Sequence, residues 1–274
     1  MLPVPPVRSE LAITWIGHST FLIQSRAGNW LTDPFFSLRA GPHAKIGAPR
    51  AIPAAFQVGD LPSLTGVILS HDHYDHCDQI ALKAIARISP TALYTPLGYE
   101  SLSAGFVLHE LDWWEVRKAT PSSSVQLVPA RHWCRRSLGG TNVRLWGGFI
   151  LRLPEGTVYF AGDTAFDERL FSAIRARCGP IDLALLPIGA YEPRWFMSDS
   201  HMNPAEAVQA HKLLGSKLSI GMHWGTIQLT DEAYDAPPRA LAEARAQAGV
   251  SALAFRVMAI GERVEIRPTM NAQK

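Results

Sequence analysis

The stretch ILSHDHYDHCDQ, residues 68–79, places three histidines and three aspartates directly after an apolar run. The run GVILS at 66–70 is typical of a buried strand, and the sequence after the cluster has helical periodicity. Burying so many polar groups costs free energy unless they are paired or bind an ion. Imidazole and carboxylate ligands together suit zinc and other first-row divalent metals. The stretch therefore predicts a metal site where a strand ends and a helix begins.

Three more polar side chains follow apolar, strand-like runs elsewhere in the chain. His132 follows VQLVPAR, Asp163 follows VYFAG and His223 follows LSIGM. If these strands share a sheet, their ends meet at one edge of the domain, and the three side chains can join the 71–76 cluster. Taken singly, each also fits a plainer role, the histidines as half-buried surface residues and the aspartate as a turn or helix-capping residue.

Composition and charge limit the class of protein. The chain has 274 residues, of which 47% are hydrophobic and 18% charged, so it should be globular. A net charge of +2 gives no electrostatic case for nucleic acid as a partner. The three cysteines form no CxxC pair, which favours a reducing cytoplasm. We expect neither a signal peptide nor a membrane-spanning helix.

The coarse pattern along the chain is strands, helix, strands, then helix, strand, helix, strand and helix. It predicts one α/β domain over residues 1–274, with layered sheets and helices outside. Residues 37–62, rich in Pro, Gly and Ala, are predicted to form a long loop. The segment 78–89 predicts a helix with Ile80, Ala84, Ile85 and Ile88 on one face and Pro90 ending it.

Two local signals in the second half are more specific. RLWGGFILRL and GTVYFAGD predict a hairpin closed around residues 154–156. NPAEAVQAHKLLG has Asn203 at the helix N-cap, Pro204 at the first helical position and Glu206 at the third.

Several longer motifs resemble one protein family. They are HDHYDHCD, PARHWCRRS, LWGGF, YFAGDT, LPIGAYEPRWFM, HMNPAEAV and MHWGT, with WIGHSTFLIQ and LTDPFF nearer the start. The H-x-H-x-D-H pattern resembles the metallo-β-lactamase superfamily, a four-layer αβ/βα sandwich with a two-metal site. The stretches GAYEPRWFM and RHWCRR narrow this to the N-acyl-phosphatidylethanolamine-hydrolysing phospholipase D family and its bacterial relatives.

The resemblance implies a ligand set and a reaction. His71, His73 and His132 would hold one zinc ion. Asp75, His76 and His223 would hold the second, with Asp163 bridging both. A hydroxide between the metals would attack a phosphodiester, and Asp75 would orient that water as a general base. Mn²⁺ and Fe²⁺ stay open as alternative metals.

For residues around this centre, the sequence leaves alternative roles open. His201 would contact a substrate phosphate or protonate a leaving group, or it caps a helix. Tyr191, Arg194 and Trp195 lie in a loop after a predicted strand, where pocket walls often lie, and would bind substrate. Arg194 fits a phosphate or an internal acidic partner, Glu192 or Asp199, equally well.

Six further residues are assigned less specifically. Trp133 and Trp224 would line an apolar pocket or belong to the core. Asp33 would orient a metal-binding histidine through a hydrogen bond, or it caps its own turn. The same two interpretations stay open for His18. Cys77 and Cys134 are interpreted as ordinary free thiols.

The leading function is a cytoplasmic zinc phosphodiesterase acting on a small-molecule or lipid phosphodiester. The recognisable domain begins by about residue 11, without the long N-terminal extension of the lipid-cleaving members, which weighs against a long-chain phospholipid. Contact with the inner face of a membrane and a homodimer stay open. The alternatives are a lactonase acting on a sugar-phosphate lactone and a non-catalytic metal-binding module. A redox di-iron site would favour a carboxylate where His73 stands.

Overall fold

Two seven-stranded β-sheets form the frame of the molecule. The computed structural model describes residues 11–43, 45–89, 91–137 and 139–266. The strands in chain order are β1 (Leu11–Gly17), β2 (Thr20–Ser25), β3 (Gly28–Thr32), β4 (Arg39–His43), β5 (Ile46–Pro49), β6 (Gly66–Ile68), β7 (Ala92–Pro96), β8 (Val107–Leu111), β9 (Val116–Thr120), β10 (Ser123–Val128), β11 (Gly148–Leu153), β12 (Gly156–Phe160), β13 (Leu183–Pro187), β14 (Leu218–Met222), β15 (Phe255–Arg256) and β16 (Arg263–Ile266). The helices are α1 (Gln79–Ile88), α2 (Glu168–Cys178), α3 (Arg194–Met197), α4 (Pro204–Leu214) and α5 (Ala236–Ala248).

The two sheets share one plan. The first has the strand order β16-β1-β2-β3-β6-β7-β8, and the second has the order β15-β14-β13-β12-β11-β10-β9. Each combines antiparallel strands with a parallel run, β3-β6-β7-β8 in the first sheet and β12-β13-β14-β15 in the second. Parallel strands are buried on both faces, so their ends are the places where polar side chains can emerge.

The core lies in layers because the strands alternate their side chains between two faces. On β2, Phe21 and Ile23 join the large cluster that also contains residues of the second sheet. Leu22, between them, packs on the other face in a smaller cluster with Leu82 and Ile85 of α1. Helices α2, α4 and α5 pack on the second sheet and against one another. This is the predicted αβ/βα sandwich.

The apolar face predicted for α1 is buried only in part. Ile80 is 57% exposed and Ile88 is 53% exposed, whereas Ala81, Leu82 and Ile85 are buried. The tertiary contacts decide the rotation of the helix, because Leu82 and Ile85 fill the smaller core cluster. The predicted end of α1 at Pro90 lies outside the described residues.

The predicted long loop over 37–62 is also wrong. It contains the antiparallel pair β4-β5 and a short 3-10 turn at Val58–Asp60. Alternation of polar and apolar residues is weak there, which is why the hairpin was not predicted.

Other local predictions are confirmed. Strands β11 and β12 form the antiparallel hairpin. Asn203 caps α4, with Pro204 in the first turn and Glu206 completing a capping box. The consecutive strands β8 and β9 lie at the edges of different sheets. The assignment of residues 1–274 to one domain stays a prediction.

Candidate metal centre

The ends of strands from both sheets converge on one cluster of polar side chains. His71 follows β6 in the first sheet, while His132, Asp163 and His223 follow β10, β12 and β14 in the second. His223 has a backbone φ of 61°, and His18 and Asp33 nearby have φ of 55° and 30°. Non-glycine residues rarely adopt such angles, and they concentrate at functional sites.

The first group of side chains consists of His71, His73, His132 and Asp163. His71 Nε2 lies 2.9 Å from His73 Nδ1, and His132 Nε2 lies 3.3 Å from the same nitrogen. Asp163 Oδ2 lies 3.7 Å from His71 Nε2 and 3.8 Å from His132 Nε2. One atom of each side chain therefore points to a common space, and all four atoms lie within 4.8 Å of one another.

The second group consists of Asp75, His76 and His223, again with Asp163. Asp75 Oδ2 lies 3.3 Å from His76 Nε2 and 3.4 Å from His223 Nε2. Asp163 Oδ2 lies 3.2 Å from each of the same two nitrogens. Asp163 thus belongs to both groups, and the structure brings together all seven ligand candidates that the sequence suggested.

Both groups have the dimensions of a metal site. Ligands about 2.1 Å from a tetrahedral zinc ion lie about 3.4 Å from one another. The distances of 3.2 to 3.4 Å in the second group match this value, and those of the first group bracket it. In addition, Asp163 Oδ1 is buried without a hydrogen-bond partner. Buried polar atoms of this kind are rare unless something binds them.

Hydrogen bonds to the far side of three imidazole rings orient them. His132 Nδ1 donates to the Ser200 carbonyl at 3.0 Å, and His71 Nδ1 donates to Ser70 Oγ at 2.9 Å. His76 Nδ1 donates to Asp33 Oδ2 at 2.6 Å. Each bond places the proton on Nδ1 and leaves Nε2 free to face the centre, which is the usual arrangement around metal-binding histidines.

Asp33 connects the two groups. Its Oδ2 accepts both from His76 Nδ1 and from the Ser70 hydroxyl, which lies 2.5 Å away and in turn accepts from His71. Its Oδ1 accepts from the Ser70 amide at 2.7 Å. One buried carboxylate therefore positions one histidine of each group.

The buried carboxylates of the centre need positive charge beside them. Burial alone would raise the pKa of Asp75 and Asp163, but neighbouring histidines such as His76 and His223 hold the pKa of both carboxyls well below the usual range. Burial also opposes a charge on His76 and His223, yet the carboxylates raise the pKa of His76 well above 6.5 and that of His223 to about 9. Two buried carboxylates are balanced only by two imidazolium groups, which a metal ion would replace.

The remaining histidines of the centre are neutral. Burial lowers the pKa of His71 and His132 well below 6.5, and it also lowers the pKa of His73. A neutral imidazole has the free electron pair that a metal ligand needs.

A cavity of about 370 Å³ opens above the centre. Its polar floor includes His73, Asp75, Asp163, His201 and His223. The other lining residues are mostly apolar or aromatic: Ala40, Tyr74, Trp133, Ala190, Phe196, Met197, Leu229 and Thr230. An apolar cavity with a few convergent polar groups is typical of a small-molecule site.

The predicted substrate-binding residues are adjacent to this cavity and do not line it. Tyr191 is buried, Trp195 is 84% exposed, and Arg194 makes a two-bond ion pair with Glu206 at 2.8 and 2.9 Å. The short helix α3 turns its successive residues in different directions, so Phe196 and Met197 reach the cavity instead. The motif therefore lies beside the cavity, and the structure shows which of its residues face the centre.

His201 lies on the cavity floor with Nε2 4.0 Å from Asp163 Oδ2. Burial lowers the pKa of His201 to about 4, so its ring is neutral near pH 7. The capping role falls to Asn203, whose side chain accepts from Glu206 N at 2.9 Å.

Trp133 lines the cavity, edge-on to His73 with ring centroids 4.6 Å apart. Trp224 packs against Trp15 at 5.2 Å.

Two arginines that the sequence did not single out hold the loop of the H-x-H-x-D-H motif. Arg144 pairs with the buried Asp72 carboxylate at 2.9 Å. Arg136 donates to the carbonyls of Asp72 and Cys77 at 2.9 and 2.8 Å. Cys77 and Cys134 are buried free thiols, as predicted.

Comparison with known proteins identifies the family. Residues 29–224 match the Beta-lactamase superfamily domain. The chain belongs to the metallo-β-lactamase superfamily. Within it, N-acyl-phosphatidylethanolamine-hydrolyzing phospholipase D 1 of Caenorhabditis elegans is 38% identical over 84% of this chain and 68% of its own length. A UPF0173 metal-dependent hydrolase of Opitutus terrae is 32% identical over 93% of this chain and 100% of its own length.

A solved structure shows the same metallo-β-lactamase fold. Isothiocyanate hydrolase from Delia radicum gut bacteria superposes with a TM-score of 0.73 at 20% identity, over 92% of this chain and 98% of that one. The chain spans between 50% and 68% of the length of the curated relatives that are named as phospholipases. This superfamily member is a metal-dependent hydrolase. Among its described helices, none is both long and apolar enough to cross a membrane.

Proposed function

We propose that this metal-dependent hydrolase is a dinuclear zinc phosphodiesterase of the N-acyl-phosphatidylethanolamine phospholipase D type. The observation that carries the proposal is the pair of ligand groups that share Asp163 beneath one cavity. The identity of 38% with the nematode phospholipase supports the choice of a phosphodiester among the bonds that the superfamily hydrolyses. When bound, a zinc pair supplies an activated water near neutral pH and stabilises the charge of an in-line displacement.

Asp75 and His201 have distinct tasks in this proposal. Asp75 is anionic and borders the cavity, so its carboxylate can accept a proton from a water molecule and orient it. His201 is neutral and lies across the cavity floor, where a ring N–H can donate to a phosphate oxygen. Of the two tasks that the sequence left open for His201, contact with the phosphate therefore fits better than protonation of a leaving group.

The lining of the cavity favours a phosphodiester over a sugar-phosphate lactone. A phosphate monoester carries almost two charges at pH 7, and proteins usually bind it through arginine or lysine. The described residues of the lining include neither type, and Arg194 is engaged by Glu206. A diester has one charge, which the centre itself can neutralise, and the walls formed by Phe196, Met197 and Leu229 suit an apolar substituent.

Metal analysis and a substrate panel test the proposal. We expect about two zinc ions per chain, and turnover of both an aryl phosphodiester and N-acyl-phosphatidylethanolamine in mixed micelles. Asp163→Asn should lose more than the 10–100-fold typical of outer-shell changes, because it removes a shared ligand. Asp199→Asn is the matched control, since this carboxylate is 82% exposed and pairs with Arg131.

Three results would support a different function. Metal-loaded protein that cleaves lactones and no phosphodiester would support the lactonase. Tight zinc binding with no turnover across esters, lactones and phosphodiesters would support a binding module. Iron after native purification, with redox activity, would support the di-iron alternative. Peripheral membrane contact and a homodimer stay predictions.

A further inference from the structure

His18 is a buried histidine beside the centre that the reaction as described does not use. It lies in the turn between β1 and β2 and is 1% exposed. It does not line the cavity, so it cannot touch a substrate there. Its imidazole nevertheless belongs to a group with Asp75, His76 and His223, whose nearest polar atoms lie within 4.8 Å of one another.

His18 lies closer to Asp75 than the other two histidines of this group do. His18 Nε2 lies 2.8 Å from Asp75 Oδ2, whereas His76 Nε2 and His223 Nε2 lie 3.3 and 3.4 Å from that oxygen. Neighbouring ligands of a tetrahedral zinc ion lie about 3.4 Å apart, and a hydrogen bond is about 2.8–3.0 Å long. His76 and His223 therefore have the spacing expected of fellow ligands of Asp75, and His18 lies at hydrogen-bond distance from it. Distance alone does not decide the role of His18, since His71 and His73 lie 2.9 Å apart in the first group, and the position of its ring proton is the further criterion.

The position of the proton agrees with this assignment. His18 Nδ1 is buried and has no hydrogen-bond partner. Nε2 is thus the ring nitrogen with an acceptor, and it carries the proton that is donated to Asp75. A nitrogen that carries a proton cannot also bind a metal.

The backbone of His18 is held from both sheets. Its N–H donates to Thr226 Oγ1 at 2.8 Å, and its carbonyl accepts from Trp15 Nε1 at 2.9 Å and from the His223 amide at 3.2 Å. The residue with φ of 55° therefore connects a turn of the first sheet to the segment of the second sheet that carries His223. The backbone that carries the imidazole is therefore held in place by both sheets.

We propose that His18 is a positioning residue that fixes the carboxylate of Asp75 toward His76 and His223. In this role it sets the affinity and geometry of the metal ion held by that group, while the ion on the His71 group is unaffected. The inference rests on the proposed two-metal function, but it concerns metal binding and not the bond that is cleaved.

Two variants separate positioning from ligation. The amide of Gln reaches about as far as Nε2 of His, so His18→Gln keeps a donor for Asp75. The amide of Asn is one carbon shorter and does not reach, although Asn tolerates the left-handed backbone better than most residues. His109→Asn is the control, since this histidine stacks on Tyr94 in the first sheet.

Titration of the chelator-treated proteins with Co²⁺, followed by visible spectroscopy, is the measurement. We expect His18→Asn to bind one of two ions about 10–100-fold more weakly, with a changed spectrum for that ion only. His18→Gln should recover most of the affinity, and His109→Asn should match the wild type. Melting curves of the metal-free proteins establish that each variant is folded.

Three outcomes would overturn the inference. Wild-type affinity in His18→Asn, with only a lower melting temperature, would show a purely structural role. Equal losses in the Gln and Asn variants would indicate that His18 is itself a ligand. A wild type that binds a single ion would remove the group on which His18 acts. By contrast, a two-metal wild type that cleaves no phosphodiester would refute the proposed function and leave this inference standing.

Discussion

Asp33 shows how much a single carboxylate contributes to the centre without touching the cavity. It accepts from His76 directly and from His71 through Ser70, so it fixes which nitrogen of each ring faces inward. In the Asn variant, the side-chain NH₂ group would face at least one of the N–H and O–H groups that now donate to Asp33. Two donors that face each other cannot form a hydrogen bond. We expect Asp33→Asn to weaken binding of both metal ions by about 10–100-fold.

A competition titration with a chromophoric zinc chelator measures this loss. Asp182→Asn is the control, because this carboxylate also accepts a backbone bond, from Thr157 at 2.8 Å, and it pairs with Lys217. Unchanged zinc affinity in Asp33→Asn would show that Asp33 only caps its own turn.

His201 gives a second prediction at the residue scale. Its Nε2 lies 4.0 Å from Asp163 Oδ2, farther than the spacing of the proposed ligands, so it should act on the substrate. We expect His201→Ala to lower kcat about 10²–10³-fold, as for loss of one donor to a developing oxyanion, with zinc content unchanged. Steady-state kinetics beside metal analysis checks both parts. Loss of zinc in the variant would assign His201 to the metal instead.

At the scale of the elements, the start of α4 supports the cavity floor. Asn203 accepts from the Glu206 amide at 2.9 Å, and Glu206 accepts from the Asn203 amide at 2.8 Å while pairing with Arg194 of α3. This reciprocal cap joins α4 to the short helix that supplies Phe196 and Met197 to the cavity. The capping chemistry and the cavity wall therefore depend on the same contacts.

We expect Asn203→Ala to lower the free energy of unfolding by about 1 kcal/mol, because the first turn of α4 loses an acceptor. For a chain of this size the melting temperature should fall by about 2–4 °C. Asp235→Ala is the matched control, since Asp235 stands at the N-cap of α5 without a side-chain capping bond. Equal effects of the two substitutions in thermal unfolding would argue against the cap.

The charge of the metal-free centre makes a prediction for the whole molecule. The carboxylates raise the pKa of His223 to about 9 and that of His76 well above 6.5, against the effect of burial. A base whose pKa is higher in the folded state stabilises that state fully below its unfolded pKa, and this contribution is lost as the pH rises through the folded pKa. The other histidines of the centre are neutral in the folded state and lose their protons around pH 6.5 in the unfolded state, so they add stability up to about pH 7.5 and nothing further above it.

Chelator-treated protein should therefore lose stability from about pH 7.5 to about pH 9, where His76 and His223 lose their protons in the folded state, whereas zinc-loaded protein should change little. Zinc replaces the two protons as the counter-charge of Asp75 and Asp163, and it also stabilises by binding only the folded state. Thermal unfolding at a series of pH values, with and without zinc, is the measurement. A flat profile for the metal-free protein would contradict the assigned charges.

Much of the centre could be predicted from the sequence because its signals are local. An apolar run followed by His or Asp marks the end of a buried strand, and this rule led to His132, Asp163 and His223 without any knowledge of the fold. Strand and helix boundaries such as the Asn203 cap are likewise set by neighbours in the chain. The buried residues of α1 could not be predicted, because periodicity leaves open which side of the helix meets the sheet, and this side is fixed by the packing of Leu82.

The sequence by itself determined which groups are available to bind a metal, since residue type and position after a strand are properties of the chain. Only the tertiary structure decided how they are used. His18 lies 57 residues from Asp75 and yet donates to it, and Arg194 turns to Glu206 and away from the cavity. These choices depend on how two sheets pack against each other, and contacts between distant segments leave no periodic trace in the sequence.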